Sequence, residues 1–561
     1  MAKRFNVAAV CIPEKHYMVN IEGRLEAIKA LVDAGNYITM NRARQYGKTT
    51  TLMALERYLQ EEYYVVSLDF QTFGSAEFRD ENTFALSFAD SFFEELNRSN
   101  EFVGTDKFQK ALAAMERSIE NSQDTYVLRT LFKELSAVCE TSDRKFVLII
   151  DEVDSATNNQ IFLDFLAQLR AYYIGRERRA TFQSVILAGV YDIKNLKRKL
   201  RPEEEHKVNS PWNTREGNEP GGSLLTSGDC PRNQMVVCPF DIAIKFSVDM
   251  SFSAEDIAGM LREYEADYHT GMDLGKIAEL LYAYTSGYPF LVSRLCQLMD
   301  EEISRECGSK EEAWTFDGFM AAEHRLTSEK NTLFESLIGK VLQYPELDKL
   351  LQEHIFCGKS VSYVASNPTI DLAAMFGIIQ EENGQVVPAN KIFDTVLSDY
   401  YLSLRELHTD EIYRAALQDK NQFVENGRLN MRLILERFTE HFHDLYGEKN
   451  EAFLEEEGRK YFLLYLRPII NGTGSYSMEA LTRTLNRTDL MVYYQGEVFV
   501  IEMKIWNGIQ YHEKGERQLL GYMEDYHQEI GYLLTFCFNK KKEIGVKEVV
   551  VEGKTLVEAM V

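Results

Sequence analysis

Between residues 37 and 190, short apolar runs of strand length alternate with longer stretches whose apolar residues recur at helical spacing. That alternation is the signature of an α/β layer built on a parallel sheet. The candidate strands are Tyr37–Met40, Tyr64–Asp69, Phe146–Ile150 and Ser184–Val190. A helical pattern, "TTTLMALERYLQEEY", separates the first two, and further helical patterns surround Phe84–Leu96 and Tyr126–Cys139.

The first candidate strand runs into "NRARQYGKTT". A phosphate-binding loop needs a strand and a tight turn whose backbone N–H groups surround the phosphates. It also needs a lysine for the β- and γ-phosphates and a hydroxyl at the helix start for Mg2+. Lys48 supplies the charge and Thr49 the hydroxyl, but the strict pattern would have glycine where Arg42 stands. A lone Gly-Lys-Thr also occurs in ordinary surface loops. The decisive second element is "KFVLIIDEVD", an apolar strand about a hundred residues downstream that ends in Asp151-Glu152, where an acidic pair would meet the phosphates. The expected nucleotide-binding residues are Arg44, Tyr46, Gly47, Lys48, Thr49 and Thr50. Thr49 and Asp151 would hold Mg2+, and Glu152 would polarise the attacking water as general base.

With these two elements the chain resembles the AAA-like ATPases of bacteria, near their signal-transducing and archaeal-type branch, which often carry a C-terminal nuclease domain. The loop of that family commonly reads Arg-Pro-Arg-Arg-Phe-Gly-Lys-Ser, so Arg42 is typical of it, while Ala43 and Gln45 depart from it. The resemblance runs from Ile12 to about Tyr400 and includes "SPWN", "MSFS" and "SGYPFLVSRL". It implies ATP and Mg2+ as cofactors, Gly287 and Pro289 near the adenine, and a homo-oligomer whose subunits share sites. Arg170, Arg176, Arg178 and Arg179 are candidates for an arginine supplied to a neighbouring site, with solvated surface charge as the plain alternative.

Residues 1–250 are thus expected to form the P-loop ATPase core, with a Gly-, Pro-, Asn- and Ser-rich insertion at about 201–237. Residues 251–330 read as a helical lid whose first helix is capped by Ser251 or Ser253. Residues 331–405 read as a winged-helix-like unit: helix, short strand, an Asn383-Gly384 turn, second strand and closing helix. A charged helical linker, 406–465, leads to a mixed α/β segment, 466–561.

In that last segment Asp489 opens one candidate strand, and Glu502-Met503-Lys504 closes the next. Period-two alternation puts Glu502 and Lys504 on one face. Two carboxylates on adjacent strands can hold Mg2+ or Mn2+ while a lysine orients or activates the hydrolytic water. The Asp(x12)Glu-x-Lys spacing resembles the PD-(D/E)xK nuclease superfamily. The resemblance implies Asp489 and Glu502 as metal ligands and Lys504 as catalytic lysine. It also implies support from Glu479 at the metal site and from Gln518 and Tyr522 of a Gln-x-x-x-Tyr helix.

A formal net charge of −25 argues against a general coat of positive surface, so any nucleic-acid contact must be local. The basic run Lys194–Arg201, followed at once by Glu203, Glu204 and Glu205, could contact nucleic-acid phosphates, and Lys514, Arg517 and the run Lys540–Lys542 could guide the backbone, with solubilising surface as the plain alternative. Eight scattered cysteines without a Cys-x-x-Cys pair read as reduced thiols, and no apolar run approaches a membrane span, so a cytoplasmic protein without membrane contact is expected. The whole reads as an α/β multidomain protein. It combines a P-loop ATPase parallel sheet, helical lid, winged-helix unit and C-terminal restriction-endonuclease-like domain. Its expected activity is ATP hydrolysis controlling a metal-dependent nuclease that acts on DNA. The alternative is a nucleotide-dependent switch or scaffold with an idle nuclease fold.

Overall fold

The computed structural model describes residues 3–43, 45–99, 105–121, 124–156, 159–189, 244–245, 250–357, 361–407, 411–419, 422–425, 428–446, 451–470, 474–481, 487–494, 497–506, 509–537 and 544–561. Arg44, the insertion at 201–237 and both basic runs therefore lie outside the described residues. Two compact units are present. The first is Met1–His269 with Tyr288–Ser293 and Met375–Gly377, and the second is Thr270–Gly287, Arg294–Ala374 and Ile378–Val561.

In the first unit, α1 (Glu22–Asp33), β1 (Ile38–Asn41), α2 (Lys48–Leu59) and β2 (Tyr64–Asp69) are followed by three helices, α3 (Glu81–Ser99), α4 (Asp106–Asn121) and α5 (Leu128–Thr141). The unit continues with β3 (Phe146–Asp151), α6 (Gln160–Ile174), β4 (Ser184–Gly189), β5 (Ile244–Lys245) and α7 (Ala254–Tyr268). The strands form a five-stranded parallel sheet in the order β2-β3-β4-β1-β5. All six residues of β3 are buried, because helices cover both faces of the sheet. Phe146, Leu148 and Ile150 point into the cluster that holds Phe88 of α3, Leu131 of α5 and Phe165 of α6. Val147 and Ile149 point the other way, into the cluster of Ile28 from α1 and Leu52 and Leu55 from α2. This layering brings the C-terminal ends of β1, β3 and β4 to one edge. Ser253 caps α7 through a reciprocal capping box with Asp256.

The next helix is α8 (Leu274–Thr285), and α9 (Pro289–Leu298) begins in the first unit and ends in the second. The second unit continues with α10 (Ser304–Cys307), α11 (Lys310–Ala313), α12 (Phe316–Ser328), α13 (Thr332–Gln343), α14 (Pro345–Cys357) and α15 (Pro368–Met375). A hairpin follows, β6 (Ile379–Glu382) with β7 (Gln385–Pro388), and then α16 (Lys391–Leu407) and α17 (Glu411–Asp419). The expected linker is not wholly helical: β8 (Val424–Glu425) and β9 (Arg428–Leu429) form a small hairpin before α18 (Met431–Tyr446). The expected junction at 465/466 falls inside α19 (Glu451–Ile470), whose Pro468 lies in the last turn.

Six strands complete this unit: β10 (Gly474–Leu481), β11 (Arg487–Tyr494), β12 (Glu497–Ile505), β13 (Ile530–Phe536), β14 (Gly545–Val551) and β15 (Lys554–Met560). Their order is β10-β11-β12-β13-β15-β14; β11 runs antiparallel to both β10 and β12, β13 runs parallel to both β12 and β15, and β14 is antiparallel to β15. The crossover from β12 to β13 is α20 (Ile509–Asp525), which buries Leu519, Leu520 and Met523 against Val500, Leu533 and Leu556. On the opposite face Phe536 packs between Phe438 and Phe442 of α18, and Gly458 of α19 leaves the space the ring fills.

Candidate functional site

Strand β1 ends at Asn41, and the chain turns through Gln45 (φ +58°) and Gly47 (φ +77°) into α2. Both residues take the left-handed conformation a tight loop requires; it is free for Gly47 and strained for Gln45. Lys48 is the first residue of α2 and is 6% exposed. Its Nζ donates to the carbonyls of Arg42 (3.0 Å) and Ala43 (3.2 Å), curling the loop over the ammonium group. Thr49 Oγ1 donates to Asp151 Oδ2 at 2.8 Å, linking α2 to the end of β3. Thr50 faces elsewhere: its hydroxyl accepts the Cys11 backbone N–H at 3.2 Å, tying the N-terminal segment to α2.

The acidic pair is set apart by backbone geometry. Asp151 is buried at the end of β3, and its Oδ1 accepts the Glu152 N–H at 2.8 Å. Glu152 turns out of the strand at φ +51°, a strained conformation for glutamate that separates the two carboxylates. Burial raises the Glu152 carboxyl above its ordinary range; Lys48 opposes the shift, and Asp151, Asp154 and Asp69 add to it. The residues fit Mg2+, for Thr49 and Asp151 offer two hard oxygen ligands beside a buried ammonium.

Two partners of the loop were not foreseen. The Tyr46 hydroxyl lies 2.7 Å from Ser251 Oγ, and its ring meets Tyr288 edge-on at 4.6 Å. Tyr288 stands between Gly287 and Pro289, so part of the motif expected near adenine packs on the loop. Asn41, in register with Gly189 of β4, is 6% exposed, and neither side-chain amide atom has a hydrogen-bond partner. Its signal in the sequence is weak, a single polar residue ending an apolar strand.

In the second unit, Met478 pairs with Leu490 and Ala480 with Thr488, so positions 479 and 489 face each other across β10 and β11. Leu490 pairs with Ile501, which sets position 489 opposite Glu502 of β12. Glu479, expected on a helix or strand edge, is thus on a strand in one row with Asp489 and Glu502. Glu502 is 1% exposed and its Oε1 lies 2.7 Å from Lys504 Nζ. Above them, Gly515 of α20 faces Lys504: a Cβ there would make an ordinary contact with Lys504 Cγ at 3.4 Å. Gln518 is half-buried on α20, whereas Tyr522 is 5% exposed within the apolar cluster under the helix. Lys514 and Arg517 are exposed.

The family model described as the AAA-like domain matches residues 9–195, so this stretch carries an AAA-like domain. Among curated proteins none matches the chain. Solved structures similar to it include the Walker-type ATPase of Pyrococcus abyssi, at 14% identity and a TM-score of 0.41, covering 70% of this chain and 99% of that one. Another is the Cdc6p protein of Pyrobaculum aerophilum, at 14% identity and a TM-score of 0.27, covering 71% of this chain and 97% of that one. Among the described residues, no helix is long and apolar enough to cross a membrane.

Proposed function

We propose that the protein binds and hydrolyses ATP in its AAA-like domain and uses that cycle to control a metal-dependent nuclease in its C-terminal sheet, acting on DNA. The observation that carries the nuclease reading is the row of positions 479, 489 and 502 beside the buried Glu502–Lys504 pair. Support for the ATPase reading comes from the AAA-like match and from the Thr49–Asp151 bond at the end of the lysine-bearing loop.

In this reading Lys48 leaves the carbonyls of Arg42 and Ala43 to neutralise phosphate oxygens, and the loop N–H groups bind the same phosphates. Glu152, its carboxyl raised by burial, accepts the proton of the attacking water. Bound Mg2+ would supply charge neutralisation at both hydrolytic sites. At the nuclease site, Asp489 and Glu502 are the ligands, Glu479 supports them, and Lys504 orients or activates the hydrolytic water. Gln518 and Tyr522 support the site from α20. The hairpin β6/β7 between α15 and α16 suits a winged-helix unit that relays nucleotide state, and a homo-oligomer completes the ATPase sites.

The burial of Glu502 favours the second reading, a nucleotide-dependent switch whose nuclease fold is idle. Cleavage of single- and double-stranded DNA by the wild type and Asp489→Ala, in Mg2+ or Mn2+, separates the two. Cleavage lost in Asp489→Ala supports the nuclease. Intact ATP turnover with no cleavage of either substrate supports the switch.

A further inference from the structure

The same row of the C-terminal sheet continues from Glu502 through Leu533 of β13 to Glu558 of β15. There it meets a group of side chains that neither hydrolytic site uses. His512 and Glu516 stand one turn apart on α20 and converge on Glu558. His512 Nε2 lies 3.4 Å from Glu516 Oε1 and 3.4 Å from Glu558 Oε2, and the three ligand atoms all lie within 4.8 Å of one another. Metal–nitrogen and metal–oxygen bonds of about 2.0–2.2 Å give tetrahedral ligand edges of about 3.4 Å, which matches the two His512 distances.

Glu558 adds an independent indication. It is 4% exposed, and neither carboxylate oxygen accepts a well-formed hydrogen bond. Its ionisable neighbours are His512, Glu516 and Lys547, and the Lys547 Nζ lies 2.9 Å from Oε2 on a side chain that is 66% exposed. A buried carboxylate demands charge compensation and bonds to its lone pairs. An exposed lysine on a flexible stem supplies the charge, but it can be displaced by a cation that bonds all three groups at once. The His512 ring lies 5.3 Å from that of Trp506, in a tilted contact.

We propose that His512, Glu516 and Glu558 form a binding site for a transition-metal dication of the zinc class. One imidazole nitrogen and two carboxylate oxygens suit Zn2+ or Co2+ better than Mg2+, and leave a position for water. The metal would pin α20 to β15 and displace Lys547 from Glu558. Binding requires neutral His512 and so releases any proton it carries. The site does not depend on whether the sheet cleaves DNA.

The test uses full-length protein stripped with chelator and titrated with Co2+, then Zn2+. One saturable equivalent that persists in Asp489→Asn is expected, with visible absorption of four- or five-coordinate cobalt that Zn2+ abolishes. Affinity should fall by about tenfold or more in His512→Ala and in Glu516→Gln. It should stay unchanged in Asp489→Asn and rise in Lys547→Ala, which lacks the competing cation. Zn2+ should raise the melting temperature of the wild type and leave that of His512→Ala unmoved. Should Glu558→Gln fail to fold, the His512 and Lys547 variants still decide. The proposal is overturned by absence of saturable binding in the wild type, by His512→Ala titrating like it, or by weaker binding in Lys547→Ala.

Discussion

Thr49 Oγ1 donates to Asp151 Oδ2 across 2.8 Å, so the first turn of α2 and the end of β3 already converge on one point. Thr49→Ala is predicted to weaken binding of Mg-ATP by about 10- to 100-fold while leaving metal-free nucleotide binding near wild type. Thr49→Ser, which keeps the hydroxyl, should restore it. Titration of a fluorescent ATP analogue with and without Mg2+ measures both.

Glu152→Gln should bind ATP normally and lose about 10²- to 10⁴-fold in turnover, the usual contribution of a general base. The raised Glu152 carboxyl also has a pH signature. Its acid limb of hydrolysis should lie above the pH where an ordinary glutamate titrates. A carboxyl raised on folding binds its proton more tightly in the native state, so its contribution to stability is lost as pH rises through the folded pKa. At neutral pH, Glu152→Gln should therefore melt at a higher temperature than the wild type. A melt series across pH, paired with a pH–rate profile, checks both signs.

Gly189 closes β4 beside the acidic pair, and a Cβ there would lie 2.9 Å from both Asp154 Oδ1 and Val153 Cγ2. Gly189→Ala must push this turn aside, at a cost of about 1–3 kcal/mol for overpacking. Because Glu152 begins the same turn, ATP turnover should fall more than ATP affinity. Denaturant melts and steady-state kinetics on the one variant read the two effects.

Glu502 is nearly inaccessible and Lys504 is its ion-pair partner at 2.7 Å. Lys504→Met would strand a buried carboxylate, which costs up to about 3 kcal/mol, the lower end for broken buried pairs because the Lys504 side chain is 20% exposed. Glu502→Gln in the same chain should recover most of that stability without recovering activity. A double-mutant cycle on urea midpoints tests the coupling.

The elements most legible in the sequence are those whose local signal and tertiary role agree. Strand β3 is unbroken apolar sequence because both its faces are buried, and the Asn383-Gly384 turn adopts φ +52° and +78°, the left-handed pair a two-residue hairpin needs. A cap at Ser251 or Ser253 was legible for the same reason, and Ser253 takes it. Pro468 cannot donate to the Leu464 carbonyl, yet α19 runs two residues past it, so the helix end does not follow the local breaker signal. The strands of β8 and β9, two residues each, are too short to show a period. Contacts between elements far apart in the chain were not readable. Tyr46 with Ser251, and Glu558 with His512, join residues distant in the chain, and no local pattern encodes such contacts.

The central claim is control of the nuclease by the nucleotide cycle. Its most direct measurement is the rate of Mg2+- or Mn2+-dependent DNA cleavage by the wild type and Lys48→Ala, each with and without ATP. The account predicts that ATP changes the wild-type rate and leaves the Lys48→Ala rate unmoved, with Asp489→Ala silent throughout. Equal wild-type and Lys48→Ala rates, with ATP and without it, would contradict the claim.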